Sequence, residues 1–232
     1  MKKILKISFT ATALMLVFSL FAVTESKAQG NIPNEILKRM ETHRQSLTSL
    51  QANVKMDKYN AQLDEHDITE GSTKYLPAKG RDALVRIDWT RPVEETLSVV
   101  NKQYVLYRPR LGQAIVGKVD DNTKNTKSTS ALAFMSMSTE QLKANYNRQY
   151  LGQEKVSGNV PTWHLKLVPK TASNYQYAEI WVDGNGMPIQ AKVVENNDDS
   201  TSVLLSVLQK NINLNPSIFK VNLPKGTKVV KG

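Results

Sequence analysis

Residues 177–195 have the sequence YAEIWVDGNGMPIQAKVVE, and this stretch does most to decide the fold. Apolar and polar residues alternate at 177–182 and again at 189–195, which is typical of strands with one solvated face. Between them lies Asp183-Gly184-Asn185-Gly186, and glycine and asparagine tolerate the positive φ that tight hairpin turns require. The sequence therefore predicts an antiparallel β-hairpin here.

The same alternation recurs along the chain, with turn signals between the segments. Further strands are predicted at 50–57, 84–89, 96–100, 104–107, 163–168, 201–209 and 219–223. Asn101-Lys102-Gln103 favours a second hairpin between two of them. The spacing predicts a mostly antiparallel sheet of about nine or more strands. Sheets of this size usually curl.

Two segments have helical rather than strand-like patterns. Ile36, Leu37 and Met40 follow helical spacing after Pro33, a residue that suits a first helical turn. Residues 131–148 are typical of short helices, with Ser138 or Thr139 as a cap. We expect these helices to cover the apolar face of the curled sheet.

The first 28 residues have the pattern of a secretory signal peptide. Three lysines precede residue 7, and residues 7–23 are apolar apart from serine and threonine. Small residues at 26 and 28 predict cleavage between Ala28 and Gln29. The alternative is an uncleaved membrane anchor, since the apolar stretch is just long enough to span. We expect a single domain over residues 29–232.

Composition excludes several classes of protein. The chain has no cysteine, which excludes disulfides, thiolate metal sites and a lipidated N-terminal cysteine. Its net charge of +10 suits anionic membrane surfaces or acidic proteins, although the charge also serves solubility. A basic helix, a zinc finger and an aromatic RNA-binding signature are all missing, so we expect no nucleic-acid partner.

The sequence offers no constellation for catalysis. It contains no G-x-S-x-G, H-E-x-x-H or Walker motif. The candidate base His164 lies within an alternating strand, and we expect a surface histidine that faces away from Trp163 and Leu165. Asp198 and Asp199 supply too few ligands for a calcium loop. We predict a protein that is not an enzyme and that has no metal ion and no cofactor.

A binding cavity is the alternative to an enzyme. A curled sheet that is apolar on one face and covered by helices encloses a pocket for an apolar ligand. Phe134, Met135 and Met137 lie in the segment expected to cover it. Methionine side chains repack around variable ligands, which suits acyl chains, but the same three residues also suit an ordinary core.

Four segments carry a resemblance to a known family. They are RDALVRIDWTRPVEETLSVVNKQYVLYRP (81–109), WHLKLVPK (163–170), IWVDGNGMPIQAKVVENNDDST (180–201) and FKVNLPKGTKVVKG (219–232). In order and spacing the chain resembles the periplasmic lipoprotein carrier family, LolA. The resemblance implies an unclosed, strongly curved antiparallel sheet, similar to a β-barrel, with a helical lid.

The resemblance also implies a function and partners. Members carry the acylated N-termini of lipoproteins across the periplasm. They receive cargo from an inner-membrane ABC-type release complex and deliver it to an outer-membrane acceptor, either a receptor protein or the membrane itself. We therefore expect a monomeric periplasmic carrier of acylated lipoproteins. The alternatives are a carrier of a phospholipid or glycolipid, and a sensor of lipoproteins or envelope stress on the same fold.

In this family, an arginine that begins the strand before an x-Pro turn helps to hold the lid closed. The matching residue is Arg81, with Asp82 where the family usually has proline. Arg86 is a second candidate for this latch, and a solvated charge is the other interpretation of Arg81.

Strand alternation suggests which side chains line the cavity, although a one-residue shift in register would exchange the two faces. The expected lining residues are Val85, Ile87, Trp89, Leu97, Val99, Leu165, Leu167, Ile180, Val193 and Val203. The expected lid residues are Ile36, Met40, Phe134, Met135 and Met137.

Overall fold

A computed structural model of the chain describes residues 32–77, 83–118, 135 and 137–232. Helices α1 (Ile32–Ser46) and α2 (Thr139–Asn145) lie against one large sheet. The strands are β1 (Leu50–Asn60), β2 (Glu65–Leu76), β3 (Leu84–Arg91), β4 (Glu95–Val100), β5 (Gln103–Arg108), β6 (Gln113–Lys118), β7 (Tyr146–Val156), β8 (Val160–Pro169), β9 (Tyr175–Asp183), β10 (Pro188–Glu195), β11 (Ser200–Lys210) and β12 (Lys228–Lys231). The mainly β architecture expected from the sequence is confirmed.

The twelve strands form a single sheet in the order β12-β6-β5-β4-β3-β2-β1-β11-β10-β9-β8-β7. Neighbouring strands are antiparallel except β12 and β6, which are parallel. Strand β1 joins the two halves, because it pairs with β2 on one side and with β11 on the other. The terminal strands β12 and β7 do not pair with each other, so the curved sheet of the described residues is unclosed.

The hairpin that joins β9 and β10 forms where the sequence predicts it. The Asp183 carboxylate accepts hydrogen bonds from the backbone N–H groups of Asn185 and Met187, at 2.9 and 2.8 Å. Gly186 adopts φ 84°, a conformation that suits glycine. A Cβ atom at this position would overlap the main-chain carbonyl of Arg39. Glycine therefore allows the turn to lie directly against α1.

The N-terminus of α2 is closed by a capping box. The Ser138 hydroxyl accepts a hydrogen bond from the Gln141 N–H, and the Gln141 side chain accepts one from the Ser138 N–H. The Thr139 hydroxyl donates to the main-chain oxygen of Leu37 in α1. The cap expected from the sequence is present, and it places α2 beside α1.

Two predicted elements are wrong. Residues 146–148 are not helical but begin β7, because Tyr146 pairs across to Pro169 of β8. Residues 219–223 do not form the last strand. A short 3-10 helix spans Pro216–Phe219 instead, capped by the Asn215 side chain, and the last strand is β12.

The sheet carries an apolar cluster on each face. The larger cluster lies beneath α1 and includes Ile36, Leu37 and Met40 together with side chains from most strands. We call this side the inner face. A smaller cluster on the outer face joins Leu76 and Leu84 to Phe219, so the segment after β11 covers part of that side.

Candidate functional site

The residues expected to line a cavity lie together on the inner face. Ile87, Leu165, Leu167, Ile180, Val193 and Val203 are buried members of the larger cluster. Val85, Trp89 and Leu97 are half-buried and pack against it. Val99 pairs directly with Val85 and so shares this face, but it lies outside the cluster. The structure thus brings the expected lining residues onto one continuous apolar surface.

The two halves of the inner face differ in how deeply they are covered. Leu165, Leu167 and Ile180, on β8 and β9, are 0% exposed. On β3 and β4, Ile87 is 2% exposed, but Val85, Trp89, Leu97 and Val99 are only half-buried. Because acyl chains bind by burial without directional contacts, the more open half is the part of the face best suited to admit one.

The lid residues are placed by α1 and by the segment that precedes α2. Ile36 and Met40 are buried in the inner-face cluster, and Met135 and Met137 are half-buried against it. The side chain of Arg39 on the same helix lies 5.2 Å from the ring centre of Trp163. Phe134 and Arg81 lie outside the described residues.

Glu41 lies at the junction of α1 and α2 and accepts hydrogen bonds mainly from its own helix, with a weaker shared contact from the Thr139 hydroxyl of α2. Its carboxylate accepts a 2.6 Å bond from Nη2 of Arg44, a 2.9 Å bond from Gln45 and a 3.4 Å bond from the Thr139 hydroxyl. The Arg44 hydrogen bond is the main reason that the pKa of Glu41 is lowered to about 2. The carboxylate is therefore charged across the physiological pH range.

Arg86, the second candidate for a lid latch, lies on the outer face instead. Its Nη1 donates to the main-chain oxygen of Ile218 at 2.7 Å, and Nη2 lies 2.8 Å from the Asp88 carboxylate. Burial alone would raise the pKa of Asp88, but hydrogen bonds from Arg86 and Thr96 outweigh it and the pKa is lowered. Side chains at 85 and 86 face opposite sides of the strand, which places Arg86 on the outer face. Its hydrogen bond to Ile218 joins the segment after β11 to that face.

His164 has the predicted orientation, but it is only partly exposed. It faces away from Leu165, on the outer face, and its side chain is 15% exposed. Its ring stacks on Trp181 with centroids 4.1 Å apart, and its Nδ1 lies 3.1 Å from the Glu154 carboxylate. The large indole on the neighbouring strand covers the imidazole, which alternation within one strand does not reveal.

Arg148 is an inner-face residue that the sequence reasoning missed. It pairs with Leu167 in the β7–β8 ladder and lies between Tyr146 and Tyr150, which both belong to the inner face. Its Nε and Nη1 atoms are shielded from solvent and have no hydrogen-bond partner among the described residues. The alternation Tyr146-Asn147-Arg148-Gln149-Tyr150 is typical of a strand, and predicting a strand here would have placed Arg148 on the same face as the two tyrosines.

A separate cleft lies at the far end of β1 and β2. Its volume is about 250 Å³, and its lining includes Lys58, His66 and Asp199. These polar side chains make it unsuitable for an acyl chain. In the described ranges, no three His, Asp or Glu side chains come together as a metal site, and no helix has the length and apolar character needed to cross a membrane.

Solved structures share this fold at low sequence identity. An uncharacterized conserved protein from Thermus thermophilus is 15% identical, with TM-score 0.56, covering 86% of this chain and 99% of that one. The complex of MucA and MucB from Pseudomonas aeruginosa contains a chain that is 12% identical, with TM-score 0.51 and coverages of 81% and 60%. This chain therefore spans about 60% of that protein's length. No curated protein sequence matches the chain.

A family model provides the sequence-level match. The model described as "Outer membrane lipoprotein carrier protein LolA" matches residues 78–222, which is more than half of the chain. The match runs from the segment before β3 to the residues after the Pro216–Phe219 turn, and so includes most strands that form the inner face. The chain belongs to the LolA family of outer membrane lipoprotein carrier proteins.

Proposed function

We propose that this protein carries the acyl chains of lipoproteins on its inner face. The observation that carries the proposal is the continuous apolar surface beneath α1, deeply covered on β8 and β9 and more open on β3 and β4. Each CH₂ group transferred from water to such a surface is stabilised by about 0.8 kcal/mol. Membership of a family described as lipoprotein carriers supports the same ligand class.

The proposed transfer runs between the two membranes of the envelope. Residues 1–28 act as a secretory signal cleaved after Ala28, and residues 29–232 form one carrier domain in the periplasm. A monomeric carrier receives acylated lipoproteins from an inner-membrane ABC-type release complex. It passes them to an outer-membrane acceptor. The family description supports this route, because it names carriage of outer membrane lipoproteins.

The contacts between the two helices suit a carrier that must also release its cargo. Helix α1 meets α2 through polar contacts at Thr139 and Glu41, in addition to the apolar residues beneath it. A hydrogen bond of this kind contributes only about 1 kcal/mol. A lid held by such contacts closes over an acyl chain without making its release prohibitively slow.

A second candidate function is binding of a protein partner. The fold is shared with MucB, which is solved as a complex with MucA. In that function the inner face or the sheet edges of this chain would receive a polypeptide rather than a lipid. A third possibility within the carrier class is a free phospholipid or glycolipid.

Mass spectrometry under non-denaturing conditions separates these candidates. The protein is exported with its own leader, purified from the periplasm and weighed intact with whatever it binds. A triacylated lipoprotein adduct is expected. A free lipid adduct would favour a carrier of phospholipid or glycolipid, and a non-acylated polypeptide adduct would favour binding of a protein partner.

A matched pair of variants tests the site itself. Leu97→Asp places a charge on the half-buried part of the inner face, and Leu111→Asp places one at an exposed leucine elsewhere. We expect the first to lose the adduct and the second to keep it, because a desolvated charge opposes acyl burial. Equal adduct levels in the two variants would contradict acyl-chain binding at the inner face around Leu97.

A further inference from the structure

Arg148 is placed among the residues proposed to hold acyl chains. In the β7–β8 ladder it lies opposite Leu167, and Tyr150 lies opposite Leu165. Directly paired residues of an antiparallel ladder lie on the same face of a sheet. Since Leu165 and Leu167 are fully buried in the inner-face cluster, the Arg148 side chain starts from that face as well.

The guanidinium of Arg148 has donors that are not used. Its Nε and Nη1 atoms are hidden from solvent and lack a hydrogen-bond partner among the described residues. Arginine remains protonated in proteins and can only donate, so these N–H groups need acceptor oxygens. The Nε atom of Arg108 on β5 is likewise buried without a hydrogen bond, but it lies 3.1 Å from the Glu95 carboxylate and so has a counterion.

The position of Arg148 relates to the ends of a bound lipid. Strand β7 is the last strand on its side of the sheet, and the two strands next to it, β8 and β9, carry fully buried apolar residues. A ligand whose acyl chains extend across the inner face toward the open half on β3 and β4 could keep its polar end at β7. The planar fork of a guanidinium matches two neighbouring acceptor oxygens, as in a phosphate or a pair of ester carbonyls.

We propose that Arg148 is an anchor that donates hydrogen bonds to the acceptor oxygens at the polar end of an acyl-chain ligand. The inference rests on the proposed acyl-binding function and adds a polar subsite to it. The oxygens come either from the ester linkages of the acyl chains or from a phosphate group. Both sources present the clustered acceptors that the unused Nε and Nη1 donors require.

The test compares three lipids that have two C16 chains each and differ in their ester carbonyls and phosphate. Dipalmitoylphosphatidylglycerol has esters and a phosphate, dipalmitoylglycerol has esters alone, and dihexadecylglycerol ether has neither. Affinities are measured by displacement of a fluorescent apolar probe from the wild type, Arg148→Met and Arg148→Lys. Arg110→Met, at an exposed arginine in the turn after β5, is the control.

Arg148→Met is expected to bind at least one of the two ester lipids about 10- to 100-fold more weakly, as loss of hydrogen bonds to a charged group implies. Its affinity for the ether lipid stays within about twofold, because the aliphatic stem is retained. Arg148→Lys keeps the charge but not the planar fork, so its affinity for these lipids is expected to fall between those of the wild type and Arg148→Met. Loss for both ester lipids assigns the esters as the source, and loss for phosphatidylglycerol alone assigns the phosphate.

The melting temperature distinguishes an anchor from a structural residue. An anchor with unused donors is expected to give Arg148→Met a melting temperature at or above that of the wild type. Equal affinities of Arg148→Met and the wild type for all three lipids would overturn the anchor alone. So would an equal loss for all three lipids with a lower melting temperature. A wild type that binds none of the lipids and no apolar probe would overturn the proposed carrier function as well.

Discussion

The hydroxyl oxygen of Thr139 lies 3.1 Å from the main-chain oxygen of Leu37, and this hydrogen bond joins the start of α2 to the middle of α1. Thr139 is buried at the junction. It lies next to the capping residue Ser138, so the cap that begins α2 also fixes where the bond is made. The helix cap and the contact between two distant segments are therefore made by adjacent residues, Ser138 and Thr139.

Thr139→Val removes this bond and keeps the shape of the side chain. We expect the free energy of unfolding to fall by about 1 kcal/mol, the usual contribution of one such hydrogen bond. Urea denaturation measures the change. Thr42→Val is the matched control, because the Thr42 hydroxyl bonds only within α1, to Lys38, at an exposed position. A comparable loss in both variants would show that the bond between the helices has no particular importance.

The carboxylate of Glu41 predicts a dependence of stability on pH. Its pKa is about 2 in the folded protein and ordinarily 4.5, so its contribution is complete above pH 4.5 and is lost as the pH falls toward 2. We expect Glu41→Gln to be less stable than the wild type by about 1 kcal/mol at pH 7, since Arg44 is half-exposed and the pair is screened. The difference should shrink below pH 4.5 in urea denaturation.

Glu35→Gln is the control for this pH dependence. Glu35 forms a 3.2 Å ion pair with Arg39 on the same helix, but both side chains are about half-exposed. We expect it to change stability very little at any pH. A stability difference for Glu41→Gln that is the same at pH 7 and pH 3 would contradict the assignment.

The two glycines of the β9–β10 turn are expected to respond differently to alanine. At Gly186 the new Cβ would overlap the Arg39 carbonyl, and φ is positive, so we expect a loss of about 1–3 kcal/mol. At Gly184 the new Cβ would meet open space, so we expect little change. Thermal unfolding of the two variants measures the contrast. Equal melting temperatures would mean that the turn does not lie tightly against α1.

Truncation of inner-face leucines distinguishes the covered half from the open half. Leu165→Ala in the fully buried part should cost about 2–5 kcal/mol of unfolding free energy, because it leaves a cavity. Leu97→Ala in the half-buried part should cost about 1–2 kcal/mol, since less surface is lost from burial. Chemical denaturation provides both values. A larger cost at Leu97 would contradict the described difference in coverage.

Period-two patterns and turn residues predicted much of the sheet. The turn at Asn101 and Lys102 forms with positive φ at both residues, and the alternation of Val85 and Ile87 with Arg86 correctly separates the two faces. These features are local, because they depend on neighbouring residues in one strand. The family resemblance is confirmed over residues 78–222.

Features that depend on distant partners were not predictable in this way. Strand β2 was not predicted, because its inner positions Thr69, Gly71 and Thr73 are not apolar and its pairing with β1 decides its structure. Tyr146 was assigned to a helix, although β8 draws it into a strand. That error also concealed Arg148, whose face is defined only by pairing with Leu167.

The two ends of the described sheet are free, so closure does not fix its circumference. In a closed barrel the strand number and stagger fix the circumference, so the interior cannot widen unless hydrogen bonds break. Strands β12 and β7 have no such mutual constraint. A few degrees of extra twist between each pair of neighbours can accumulate across the sheet while every ladder remains intact. Under the proposed function, a cargo with more acyl chains would be accommodated by small changes in twist between all neighbouring strands, without separation of any one strand pair.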